Sequence, residues 1–160
     1  MKILGIHIRK DFLFLCAIEG NHSSFRTCNI DPKERIDNPS ISFTSSNKSA
    51  IKDFYNELKA IIVALHVDRI ALRKISLIAP STKDIASKSQ IEGIISLIAG
   101  QINIPCEEVS MGNVRNFVGA KGKGHFDENI DSQYKSMCED IKYWSAGVNQ
   151  AFAAARVLLK

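Results

Sequence analysis

With 160 residues, 45% of them hydrophobic and 24% charged, the chain suits one domain with a full core and is too short for two ordinary ones. A net charge of +4 and a sequence pI near 8.9 admit an anionic partner but not the dense basic stripe of a dedicated nucleic-acid binder. No apolar run approaches the roughly 20 residues of a membrane span and no signal peptide is expected. Cys16, Cys28, Cys106 and Cys138 form no C-x-x-C pair, so they read as free thiols in a reducing cytoplasm, with no support for a zinc site or redox motif.

Lys2 to Ile8 and Phe12 to Ile18, separated by the polar break Arg9, Lys10 and Asp11, read as two strands joined by a tight turn. Both are apolar nearly throughout, which fits central strands covered on both faces. His7 is the polar exception and is expected near the sheet edge where α/β folds place their sites. Asn21 to Ser24 is a second turn, and Phe25 to Ile30 a weaker third strand. Asp31 to Ser46, with Pro32 and Pro39, predicts a loop with a brief extended piece at Ile41 to Phe43.

Ser46 or Asn47 can cap a helix in which Ile51, Phe54, Tyr55, Leu58, Ile61, Ile62 and Leu65 recur at helical spacing. Val67 to Ile75 has strand character. Ser81 and Asp84 resemble a capping box for a second helix that turns Ile85, Ile91, Ile94, Ile95 and Ile98 inward and ends near Gly100. A short strand over Cys106 to Ser110 and a short helix around Val114 to Val118 follow. The stretch from Gly119 to His125 has three glycines and two interleaved lysines, Lys121 and Lys123, and reads as a mobile loop. Helical patterns over Asp131 to Ile141 and from about Ser145 onward close the chain.

Three strands, helix, strand, helix, strand, then helices is the order of a ribonuclease H-like fold. The opening Ile-Leu-Gly-Ile-His7 resembles the first strand of the RuvC Holliday-junction resolvases, which typically reads Ile-Leu-Gly-Ile-Asp. Val67-Asp-Arg-Ile-Ala-Leu-Arg73 is similar to that family's fourth strand. Gln90-Ile-Glu-Gly93 is similar to its Gln-x-x-Gly segment, Val109 to Lys123 to its valine-rich segment with a basic loop, and Gln150-Ala-Phe-Ala-Ala-Ala155 to its last helix. The resemblance implies one α/β domain over residues 1–160, with a mixed sheet of three antiparallel strands and then parallel strands, flanked by helices.

The resembling enzymes hold two divalent metals on four carboxylates across a scissile phosphate. Carried over position by position, the first acid falls on His7, the second on or beside Arg73, and the last two near Gly147 and Gln150. None is a carboxylate. Histidine can bind a transition metal, but magnesium wants oxygen, and an arginine adds positive charge where two cations must sit. The resemblance therefore implies a degenerate active site with no catalytic residues of the usual kind, no metal and no cofactor. Its function is then that of a binding or assembly module, acting on structured nucleic acid or on a protein partner. The alternative is a metal-dependent nuclease or other hydrolase with a non-standard residue set that includes His7.

Among other carboxylates, Glu92 lies mid-helix, Glu107 and Glu108 flank a strand, and Glu139 and Asp140 point apart. The four cysteines read as small core residues without a base nearby in sequence. His7 is either hydrogen-bonded packing or a ligand. Arg73 either pairs with Asp68 or Glu92, or grips a phosphate. Lys121 and Lys123 are candidate phosphate contacts or solvated loop residues. The isoleucines of the second helix, with Ile91, Ile94, Leu97 and Ile98 more than one domain face can bury, predict a homodimer, which the resembling family also builds around the equivalent helix.

Overall fold

The computed structural model describes residues 1–28, 30, 34–39, 47–74, 81–121, 125–138 and 140–159. Strand β1 (Lys2–Ile8) pairs antiparallel with β2 (Phe12–Gly20), and β2 pairs antiparallel with β3 (Phe25–Cys28). On its other side β1 runs parallel to β5 (Arg69–Arg73), which runs parallel to β6 (Cys106–Val109). The order across the sheet is β3-β2-β1-β5-β6, with β4 (Arg35–Asp37) also on β2. This is the mixed sheet expected from the sequence, antiparallel strands first and parallel strands after.

Period-two alternation divides the central strands between two cores. Leu4, Ile6, Ile70 and Leu72 pack with Phe54, Leu58 and Ile62 of helix α1 (Asn47–Leu65) and with Ile91, Ile95 and Ile98 of α2 (Thr82–Ile102). Ile3, Phe14, Cys16 and Ala71 face the other way, onto Val114 of α3 (Met111–Phe117), Ile130 of α4 (Phe126–Tyr134) and Ala151 to Ala155 of α5 (Asn149–Leu158). Covering on both faces is why β1 and β2 can be apolar almost end to end. Ser81 does cap α2, accepting the Asp84 amide at 3.1 Å, and Asn103 closes that helix in the left-handed conformation.

Helix α5 lies directly on β1. A Cβ at Gly5 would come within 1.9 Å of the Ala151 carbonyl oxygen, so only glycine lets strand and helix approach this closely. That contact fixes where the start of the last helix stands relative to the end of β1.

The structure corrects several expected boundaries. β4 lies inside the stretch read as a loop, because β2 is long enough to pair with β3 at one end and β4 at the other; the extended piece expected at 41–43 lies outside the described residues. The strand expected over Val67 to Ile75 is ordered as β5 over Arg69–Arg73, and the third strand ends at Cys28. Helix α2 runs on to Ile102. Helix α4 starts at Phe126, earlier than Asp131, and passes into a 3-10 turn over Lys135–Cys138. The last helix opens as a π turn over Trp144–Val148, broken at Gly147, before α5 proper.

Candidate functional site

The parallel register that sets Gly5 beside Ala71 and Ile6 beside Leu72 brings the next residues, His7 and Arg73, together at the C-terminal edges of β1 and β5. Both side chains fall on the α5 face, by alternation with Gly5 and Ala71. Parallel strands end at one edge with their crossover helices leaving it, so a crevice forms there. A cleft of about 260 Å³ opens at this edge, lined by His7, Ile8, Arg9, Lys10, Arg73, Lys74 and Lys88.

Five of those seven side chains are cationic and none is acidic. Arg73 is only 4% exposed. It donates Nη1–H to the Lys74 carbonyl, while its Nε has no partner among the described residues. Burial, followed by the nearby positive charge of Arg115, lowers its pKa to about 10. The His7 ring stacks against Phe14 with centroids 6.5 Å apart, and its Nδ1 is buried and likewise unpartnered. Burial, then the charges of Arg73, Arg9 and Lys88, pulls its pKa down to about 3, so it is a neutral imidazole at pH 7. Arg9 donates to the Ala146 carbonyl at 2.7 Å, and Lys74 reaches Glu108 at 3.2 Å on the outer side.

Of the four positions carried over from the resolvases, His7 and Arg73 meet in the cleft. Gly147 sits against the neighbouring strand β2, where a Cβ would come within 2.5 Å of the Phe14 ring; Phe14 fills the space that an acidic side chain at 147 needs. Gln150 is half-buried at the start of α5, with Oε1 unpartnered among the described residues. Arg73 does not meet Asp68, whose carboxylate accepts the Lys2 amide at 2.7 Å. Lys121 is exposed beyond α3 and does not line the cleft; Lys123 lies outside the described residues.

Other acids near the last helices have structural work. Asp127 accepts from Asn149 at 3.1 Å and Asp131 from the Trp144 indole at 2.6 Å, tying α4 to the final helical segment. Among the described residues, no three His, Cys, Asp or Glu side chains are grouped so as to hold a metal ion. Burial raises the Cys106 and Cys138 thiols to about 11 and pushes Cys16 and Cys28 upward as well, which disfavours thiolate chemistry.

Arg9, Lys10, Lys74 and Lys88 were not singled out by sequence reasoning. The signal for three of them was positional: a basic residue immediately after each of two parallel strands stands at the site edge. Lys88 has no such mark, since only the packing of α2 brings it there.

This mixed sheet with its flanking helices is the ribonuclease H-like fold of the Holliday junction resolvases. Thermus thermophilus RuvC in complex with a Holliday junction substrate superimposes with a TM-score of 0.73 at 12% identity, over 98% of this chain and 92% of that one. The fowlpox virus resolvase in complex with Holliday junction DNA gives 0.56 at 11% identity, over 97% and 94%. The yeast mitochondrial Holliday junction resolvase gives 0.54 at 16% identity, over 98% and 75%. No protein-family model and no curated protein matches the sequence.

Proposed function

We propose that this chain is a single RuvC-like domain that binds branched or structured nucleic acid without cutting it. The observation that carries this reading is the charge reversal at the strand edge: Arg9, Lys10, Arg73, Lys74 and Lys88 surround His7, and none of the described residues lining the cleft is acidic. Two-metal hydrolysis needs concentrated negative charge to hold its cations. A cationic cleft repels those metals and attracts phosphate. Similarity to resolvases solved with junction DNA supports a nucleic acid as the partner.

The partner set includes a second copy of this chain. Ile91 and Ile98 are fully buried in the domain's own core and so are not free for an interface; Ile94 is half-buried and Leu97 is 55% exposed. The outer face of α2 presents Ala86, Ser89, Gly93, Ser96, Leu97 and Gly100, small or apolar and uncharged. A face of this kind lets two helices approach closely about a two-fold axis. No helix among the described residues is long and apolar enough to cross a membrane, and four free cysteines support a reducing compartment, the cytoplasm.

The test is a gel-shift comparison of a four-way junction with linear duplex of equal length, followed by incubation with magnesium or manganese. Junction binding without strand cleavage is expected, and a melting temperature unmoved by either metal. Magnesium-dependent cutting that disappears in His7→Ala overturns the non-cutting role.

A further inference from the structure

Two residues that line the cleft, Arg73 and His7, each carry a buried hydrogen-bonding atom, Nε and Nδ1, with no partner among the described residues. A guanidinium that is 4% exposed loses nearly all its hydration, and an unanswered charged donor is among the costliest groups to bury. Its neighbours make matters worse: Arg115, Arg9 and Lys88 add like charge to the same region. Among the described residues, the Lys74 carbonyl accepts from Arg73, the Ala146 carbonyl from Arg9, and the Glu108 carboxylate pairs with Lys74. Donors that repel one another and lack acceptors are stabilised together by an anion placed among them.

We infer that this cleft is the seat of one phosphodiester group of the bound strand, with Arg73 and His7 donating hydrogen bonds to its non-bridging oxygens and Lys88 and Arg9 flanking it with charge. The inference rests on the proposed nucleic-acid binding and deepens it by naming the group held and the atoms that hold it. The donors come from β1, β5 and α2, so they surround the ligand. Such an arrangement suits a tetrahedral oxyanion better than a planar carboxylate, which one arginine fork would satisfy from one side. Neutral His7 takes part through the tautomer that carries its proton on Nδ1. A volume of about 260 Å³ accommodates a phosphate together with part of its sugar.

Inorganic phosphate is the first probe. Thermal unfolding of the full chain in phosphate is compared with chloride at matched pH and ionic strength, and fluorescence anisotropy follows labelled junction DNA over a salt series. Phosphate is expected to raise the melting temperature above the chloride value, and the gain to vanish in Lys88→Gln and Arg73→Gln. Arg73 is also a packed core residue, so half-buried Lys88 carries the comparison if Arg73→Gln does not fold. Lys88→Gln is expected to weaken junction binding about tenfold and to lower the logarithmic salt slope by about 1. Equal melting temperatures in phosphate and chloride overturn the seat even when junction DNA binds, leaving the proposed function to another surface. A phosphate gain that survives both substitutions overturns its location. A phosphate gain without any junction binding overturns the assignment to a nucleic-acid strand and, with it, the proposed function.

Discussion

Lowering the pH should destabilise this protein through one identifiable side chain. His7 has a folded-state pKa of about 3 against an ordinary 6.5, chiefly because its ring is buried and secondarily because Arg73, Arg9 and Lys88 face it. Between those two values the unfolded chain binds a proton that the native state refuses. Stability from this group is therefore complete above pH 6.5 and is lost as the pH falls toward 3. One pKa unit corresponds to about 1.4 kcal/mol, so the loss is roughly 2 kcal/mol by pH 5 and a little over 3 kcal/mol by pH 4. Set against a typical domain stability of about 5–15 kcal/mol, that is a large fraction. Urea unfolding of the unaltered protein and of His7→Leu at pH 7, 6 and 5 isolates the effect, since the other titrating groups are common to both. At pH 7 the variant should be within about 1 kcal/mol of the original, because it also removes the orphaned Nδ1. At pH 5 it should have gained roughly 2 kcal/mol on the original at unchanged m-value. Parallel loss of stability in the two proteins between pH 7 and pH 5 would refute the reasoning.

Gly5→Ala should cost at least about 3 kcal/mol, beyond the usual range of a single overpacked methyl, because the Cβ would meet the Ala151 backbone at 1.9 Å and α5 would have to lift from β1; a melting temperature close to that of the original contradicts this. Restoring acids with His7→Asp and Gly147→Asp together should lower stability by about 1–3 kcal/mol, through the clash with Phe14, and should not create magnesium-dependent nicking of a junction while Arg73 remains. Lys121→Glu with Lys123→Glu should reduce the salt slope of nucleic-acid binding by about 2 and change stability by no more than about 0.5 kcal/mol; an unaltered slope removes these lysines from the interface. Leu97→Glu, at the centre of the uncharged face of α2, should shift sedimentation at micromolar concentration toward the monomer, and a species unchanged from that of the original protein refutes the interface.

Much of the fold is legible in the sequence because its signals are local. The nearly continuous apolar runs of β1 and β2, the helical spacing from Ile51 to Leu65 and the Ser81 cap each report a neighbourhood of a few residues, and short-range sterics and burial decide them. The identities of His7, Arg73, Gly147 and Gln150 likewise carry, by residue type alone, the expectation of a site without the acids of the resembling nucleases. Tertiary structure decided what surrounds these residues. Register between β1 and β5 sets His7 beside Arg73, the packing of α2 adds Lys88, and the turn after β1 adds Arg9 and Lys10, so the cleft's charge is assembled from segments that are far apart in the chain. The reason for glycine at 147 is Phe14, more than 130 positions away along the chain, and β4 exists because β2 has an edge left to pair. Such contacts are fixed by which surfaces meet after folding, and no local pattern of residues encodes them.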